Sequence, residues 1–271
     1  MTRRQDQGVA LVNVLLVMAI SAALVQTMLL SQEKAISETQ KASDRAQAFA
    51  LAKGGVASLR TALARDLRAA PESDHLQEAW ARVAQEQVTY DFGGYSVSID
   101  DAQARFNLNS LSRSAIAQQR VFSALLTALE LPAELAPQIT DVIAREGPLV
   151  SVAKLRAHGI SDRFVEDLSP YVAALPAGQL INLNTASEPV LEAVFANPIV
   201  ARNLSARRTA QGYLTGKDLS DLGVVQPALA GWRSDSYDIE VRAAVGTVDL
   251  SYKRRVIRDP ESELVIDMPR H

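Results

Sequence analysis

The 271-residue chain contains no cysteine, only three histidines, and aromatic residues at 5% of positions. Without cysteine there is no disulfide, zinc–thiolate site, iron–sulfur cluster or cysteine nucleophile. The absence suits an exported chain but does not by itself assign a compartment. His75, His158 and His271 lie far apart with no ligand-like spacing, and are expected at the surface. No Gly-x-Ser-x-Gly elbow, phosphate loop or His-Glu-x-x-His pattern occurs. A formal net charge of −3, with Lys and Arg scattered, gives no electrostatic footprint for general nucleic-acid binding. Catalysis therefore finds little support, and a non-enzymatic role is expected.

Charge is missing altogether from Val9 to Leu30, where only Asn13, Ser21, Gln26 and Thr27 interrupt an apolar run. As a helix this run reaches ~33 Å, enough to cross a ~30 Å hydrocarbon core. Arg3 and Arg4 precede it, which predicts a cytoplasmic N-terminus and a periplasmic remainder. A cleaved signal peptide also has a basic start and an apolar core, but its core is shorter, ~7–15 residues. Here proline is absent from Ser31 to Ala70, and Val56, Leu59, Leu63 and Leu67 recur at helical spacing. The pattern predicts one helix of ~60 residues, softened or bent at Gly54-Gly55 and ended at Pro71.

Beyond the helix, Gln87–Phe92 and Tyr95–Ile99 alternate around Gly93-Gly94, and Tyr237–Val245 and Val248–Ile257 alternate around Gly246-Thr247. Both read as β-hairpins, neither stable alone. Together they predict one antiparallel sheet packed on the apolar stripe of the long helix. Between them the pattern is helical, over Ala115–Leu131, Pro137–Arg145, Ser151–Ala157, Asp162–Leu168, Glu188–Phe195, Ile199–Ala210 and Thr215–Leu222. This insertion repeats itself: Phe106-Asn-Leu-Asn-Ser110 is echoed by Ile181-Asn-Leu-Asn-Thr185. The asparagines are expected to cap helix starts and close turns, with Leu108 and Leu183 pointing inward.

A short basic leader ending in Gly8 and followed at once by an apolar helix resembles the type IV pilin and type II secretion pseudopilin leader. The stretch Asp101-Ala-Gln-Ala-Arg-Phe-Asn-Leu-Asn-Ser-Leu111 resembles the signature of the general secretion pathway protein K family. The resemblance implies cleavage after Gly8 by prepilin peptidase and methylation of Val9. Most members carry Glu at the fifth mature position, where this chain has Asn13. In the family that Glu is taken to pair with the N-terminal ammonium of the subunit ahead, so a subunit with nobody ahead can do without it.

The implied fold is α+β: a type IV pilin-like long helix on an antiparallel sheet, with a large all-α insertion of two helical repeats between strands. The expected division is a prepilin leader at 1–8, an anchor helix at 9–30, a periplasmic helix and first hairpin at 31–103, the insertion at 104–232 (repeats of about 104–175 and 176–232) and C-terminal strands at 233–271. The implied role is a minor pseudopilin at the pseudopilus tip, initiating or capping assembly in support of protein export. Implied partners are other minor pseudopilins in a tip complex, the major pseudopilin, prepilin peptidase, the inner membrane and its secretion platform. Ala10, Ala19, Ser21, Ala22 and Ala23 offer close approach between anchor helices, and the exposed stripe from about Gln32 to Arg68 offers a packing surface.

The Asn-Leu-Asn-Thr-Ala run also resembles the opening of helix-hairpin-helix DNA-binding repeats, which gives a membrane-anchored DNA-uptake protein as the alternative. That motif needs a glycine-rich hairpin whose N–H groups approach a phosphate. Here the hairpins are Phe195-Ala-Asn-Pro-Ile199 and Glu130-Leu-Pro-Ala-Glu134, the first without glycine and the second with two carboxylates, so nucleic acid is not expected as a partner. Some pseudopilins bind calcium, and Asp235, Asp238 and Glu240 supply hard oxygen ligands, although without calcium-loop spacing. Asp100-Asp101 reads first as turn chemistry, and Arg207-Arg208 and Lys253-Arg254-Arg255 as solvated faces.

Overall fold

In the computed structural model, residues 3–69, 72–83, 87–259 and 264–269 are described. Helix α1 (Arg3–Ala69) is continuous through Gly54 and Gly55, and Pro71 lies outside the described residues. Among the described residues α1 holds the one stretch long and apolar enough to cross a membrane. No side chain from Leu11 to Ser43 is buried. From there on one stripe is, through Ala48, Ala52, Val56, Leu59, Leu63 and Leu67. Steps of three and four put these side chains on one face.

That face covers a five-stranded antiparallel sheet, β1 (Gln87–Tyr90), β2 (Gly93–Asp101), β7 (Ser236–Val245), β8 (Val248–Asp259) and β9 (Leu264–Pro269), in the spatial order β1-β2-β7-β8-β9. Tyr237, Ile239, Val241, Ala243 and Val245 point from central β7 to the helix and are all buried. With Trp80 of α2 (Ala79–Val83), Val97 and Val256 they complete this core.

Of the two adjacent glycines of α1, Gly55 is a contact point and Gly54 is not. A Cβ on Gly55 would lie 3.0 Å from Val241 Cγ1 and 3.2 Å from the Tyr95 ring, whereas one on Gly54 would meet nothing. The turn of the first hairpin differs from expectation. Gly93 and Gly94 do not form the turn of the first hairpin; Asp91 and Phe92 do, and the glycines begin β2. A Cβ on Gly93 would come within 2.3 Å of the Ala244 carbonyl of the neighbouring strand, so glycine here serves close backbone approach. The second hairpin turns at Gly246-Thr247, with Val245 opposite Val248.

The helical segment leaves the sheet after Asp101 and returns at Ser236, beside Tyr237, the register partner of Asp101. It carries α3 (Ile116–Ala128), α4 (Leu135–Glu146), a 3-10 helix at Val152–His158, α5 (Asp162–Leu168), α6 (Glu188–Phe195), α7 (Pro198–Gln211) and α8 (Gly216–Asp221). It is not wholly α. β3 (Phe106–Asn107) pairs in parallel with β4 (Val172–Ala173), and β5 (Ile181–Asn182) with β6 (Ala230–Gly231). Each Asn-Leu-Asn run thus opens a loop of helices that a parallel two-residue ladder closes. Its own apolar core includes Phe106, Leu108, Phe122, Leu125, Ile139, Leu183, Leu191 and Leu204.

Three contacts order the head along α1. A Cβ on Gly246 would meet the Asp44 carboxylate, Gly55 lies against Val241 and Tyr95, and Arg258 pairs with Asp66. The Gly246 hairpin therefore faces the apolar anchor, and the helical segment is attached at the far end. From Leu30 to Asp66 the helix rises ~54 Å at ~1.5 Å per residue.

Candidate functional site

The helix backbone runs unbroken through Gly8 and Val9, and the Val9 side chain lies outside the described residues. Asn13 sits on the apolar segment, exposed like every residue around it. Leu11, Leu15, Ile20, Leu24 and Leu29 are equally exposed, which in water would be untenable for a contiguous apolar surface of this length. The arrangement is that of a single-pass anchor, its side chains directed to lipid or to other helices.

At the other end, the head and the helical segment are joined by a buried polar neck. Asp101 Oδ1 accepts from Gln103 N at 2.8 Å. Its Oδ2 accepts from Asn182 Nδ2 at 3.0 Å, and from the Thr185 and Ser234 hydroxyls, each at 2.5 Å. Asn182 Nδ2 also reaches the Asp74 carbonyl at 3.0 Å, so the second Asn-Leu-Asn run holds both β2 and the chain after α1. Asp74 in turn accepts from the Tyr237 hydroxyl and Ser234 N, both at 2.8 Å. Burial pushes the Asp101 carboxyl up, against the hydrogen bonds it accepts.

Beside this neck Asp66, Asp74 and Glu78 bring carboxylate oxygens within 4.8 Å of one another. Arg258 supplies their cation: Nη1 lies 3.3 Å from Asp66 and Nη2 2.6 Å from Asp74. Burial, and then the charges of Glu78 and Asp74, push the Asp66 carboxyl up to about 7. Sequence reasoning missed this cluster, because its members are brought together from α1, the following loop and β8.

The three carboxylates expected to hold calcium are not brought together. Asp235 pairs with Arg233 at 3.0 Å. Asp238, fully buried, pairs with Arg105 at 2.6 Å and Arg255 at 2.8 Å. Glu240 takes the Ser251 hydroxyl, Arg242 and Lys253, and the Ser251 hydrogen bond does most to hold its carboxyl low. Each faces its own cationic partners.

The basic runs are committed too. Arg208 Nη1 donates to the carbonyls of Leu183 and Ala186, while Arg207 pairs with Asp218 and Asp221. Arg254 lies over the Tyr252 ring at 4.8 Å. His75 is not a free surface residue. It is half-buried and stacks on Tyr213 at 4.5 Å, and burial lowers its pKa. His158 is half-buried and His271 lies outside the described residues.

The asparagines of the repeat act in register. Asn107 Oδ1 accepts from Asn109 N, and Asn182 Oδ1 from Asn184 N. Asn109 Oδ1 accepts from Leu149 N at 2.7 Å, and Asn184 Oδ1 from Leu214 N at 2.6 Å. Leu108 and Leu183 are fully buried. At the hairpin where a DNA-binding repeat would present N–H groups to phosphate, Asn197 takes them itself: its Oδ1 accepts from Ile199 N and Val200 N.

No family model matches the chain. The type II secretion system protein K of Pseudomonas aeruginosa is 31% identical over 256 residues, covering 80% of this chain and 77% of the relative. The chain belongs to the type II secretion system protein K family. The Klebsiella pneumoniae protein K is 28% identical, covering 79% of this chain and 78% of its own length. The crystal structure of the GspK–GspI–GspJ complex from the type 2 secretion system of enterotoxigenic Escherichia coli contains a chain with the same fold, at a TM-score of 0.67 and 20% identity, covering 85% of this chain and 97% of that one. Protein K members are pseudopilins, structural and non-catalytic components, and the long helix packed on an antiparallel sheet is the pilin-like arrangement they share.

Proposed function

We propose that this protein K sits at the tip of the type II secretion pseudopilus and starts or caps its assembly. The observation that carries this reading is the position of the helical segment, grafted onto the end of the head farthest from the anchor. Stacked pilin subunits meet through their long helices, and a bulky body above the head leaves no room for a subunit over it while leaving the helix below free. Asn13 supports the same reading, because a subunit with none ahead needs no carboxylate there.

On this reading the chain is cleaved after Gly8, methylated at Val9 and held in the inner membrane with its head in the periplasm. The insertion comprises the two repeats at about 104–175 and 176–232, and the C-terminal strands complete the pilin-like body. Its partners are two smaller minor pseudopilins, as in the GspK–GspI–GspJ assembly, and below them the major pseudopilin. Ala19, Ser21, Ala22 and Ala23 offer the close helix–helix approach in the membrane, and the unburied face of α1 from Gln32 onward offers it in the periplasm.

Size-exclusion chromatography of the purified head with the heads of the cognate minor pseudopilins tests this. A single ternary peak is expected. Three separate elution positions at micromolar concentrations would sink the tip reading.

A further inference from the structure

Where the first repeat meets the outer face of the sheet, a cavity of about 580 Å3 opens beside Arg105 and Arg255. Its walls are aliphatic, formed by Leu149, Val150, Val152, Val172, Leu175 and Ile257. This volume, apolar apart from a few convergent polar groups, is the form of a small-molecule site. The assembly role proposed above makes no use of it.

Two arginines form the polar end, and both reach one carboxylate, Asp238. Arg255 commits Nε and Nη2 to Asp238 and Nη1 to the Ala174 carbonyl. Arg105 gives Asp238 only Nη2, one of the five N–H donors a guanidinium carries. Two fixed cations on one carboxylate leave a positive charge at the cavity. Asp100, the register neighbour of Asp238 on β2, is exposed and does not line it.

Four backbone acceptors around the cavity are already taken. The Leu149 and Leu175 carbonyls accept from Asn109, the Pro176 carbonyl from Asn107 and the Ala174 carbonyl from Arg255. A peptide lodged there would bury amides without partners, which is unfavourable. A ligand with one anionic head and a plain hydrocarbon body has no such groups to satisfy. We propose that the cavity binds an amphiphilic monocarboxylate of the medium-chain fatty-acid class. Its head lies on Arg105 and Arg255, and its chain runs along Val150, Val152, Val172 and Ile257.

Calorimetric titration of decanoate into the soluble head, begun at Gln32, tests this. That fragment keeps every buried side chain among the described residues, since none of those precedes Asp44, and needs no detergent to compete for the cavity. One saturable site is expected, with decanol and decyltrimethylammonium bound at least about tenfold more weakly, as loss of a charge-assisted contact implies. Arg105→Gln keeps the Arg255–Asp238 pair and is expected to weaken decanoate about tenfold. Val150→Asp acts at a residue 60% exposed, so the fold is indifferent to it, and places a like charge at the mouth with the same effect. Absence of saturation, equal affinity for decanol and decanoate, binding unaffected by Val150→Asp, or a leucine-ended tripeptide outcompeting decanoate would each overturn the proposal.

Discussion

Arg258 Nη2 lies 2.6 Å from both carboxylate oxygens of Asp74, a residue 184 positions earlier in the chain, and both side chains are buried. The same nitrogen donates to the Ser234 carbonyl at 2.5 Å, so one guanidinium ties the loop after α1, the return from the helical segment and β8. Removing one partner of a buried ion pair strands the other. Arg258→Ala is expected to cost about 3–5 kcal/mol, read as a fall in the urea midpoint of the soluble head. A double variant with Asp74→Asn should lose less than the sum of the two single changes, because the stranded charge is gone.

Asp66 gives stability a defined pH dependence. Its folded pKa, raised to about 7 by burial and by its acidic neighbours, lies above the unfolded value near 3.8. The folded state then binds this proton more tightly than the unfolded one. The contribution of Asp66 is therefore most favourable below about pH 4, declines as pH rises toward 7, and is flat beyond. Melting curves of wild type and Asp66→Asn between pH 4 and 8 check this: the wild type is expected to lose stability relative to the variant as pH rises. Parallel curves would show that the group is not perturbed.

The two Asn-Leu-Asn runs are equivalent in place but not in satisfaction. Asn109 makes three long-range hydrogen bonds, two to Leu149 and one to Leu175. Asn184 makes one long-range bond, to Leu214 N, and its buried Nδ2 has no partner. Substitution of Asn109 by Ala should cost more than that of Asn184, each by about 1–3 kcal/mol for the backbone N–H left unpaired. Equal denaturation midpoints for the two variants would contradict the hydrogen-bond assignment.

Adjacent glycines should respond with opposite sign. Gly54→Ala places a methyl in open space within a helix and should stabilise by about 0.5–1 kcal/mol. Gly55→Leu drives a side chain into Val241 and Tyr95 and should destabilise by about 1–3 kcal/mol. Thermal melts of the two variants side by side are sufficient to check it.

The elements legible in the sequence are those with a sustained period. The β7–β8 hairpin, with alternate residues buried from Ile239 to Val245, and helices such as α5 and α6 stand where the pattern places them. The parallel pairs β3–β4 and β5–β6 are two residues long and carry no period to read. α2 is five residues, and β9 follows the last predicted strand. Gly93-Gly94 misled because glycine signals both turns and close approach, and only the neighbouring strand separates the two. The carboxylates of β7 looked available because Arg105 and Arg255, which neutralise Asp238, are 133 and 17 residues away. The neck was invisible for the same reason, since Asp74, Asp101, Asn182 and Arg258 meet only once the sheet has formed.

The departure and return of the helical segment at register partners of β2 and β7 also fix how thrust crosses the molecule. On the tip reading proposed above, a column advancing from below would push α1 along its axis, and the seam of Ala48, Val56, Leu59 and Leu63 would pass that push to the sheet. Because both roots of the overhead body rise from neighbouring central strands, the two are loaded in the same direction. Loaded alike, the two paired strands would move as one body against the helix–sheet seam, which runs from Ala48 to Leu67 along α1.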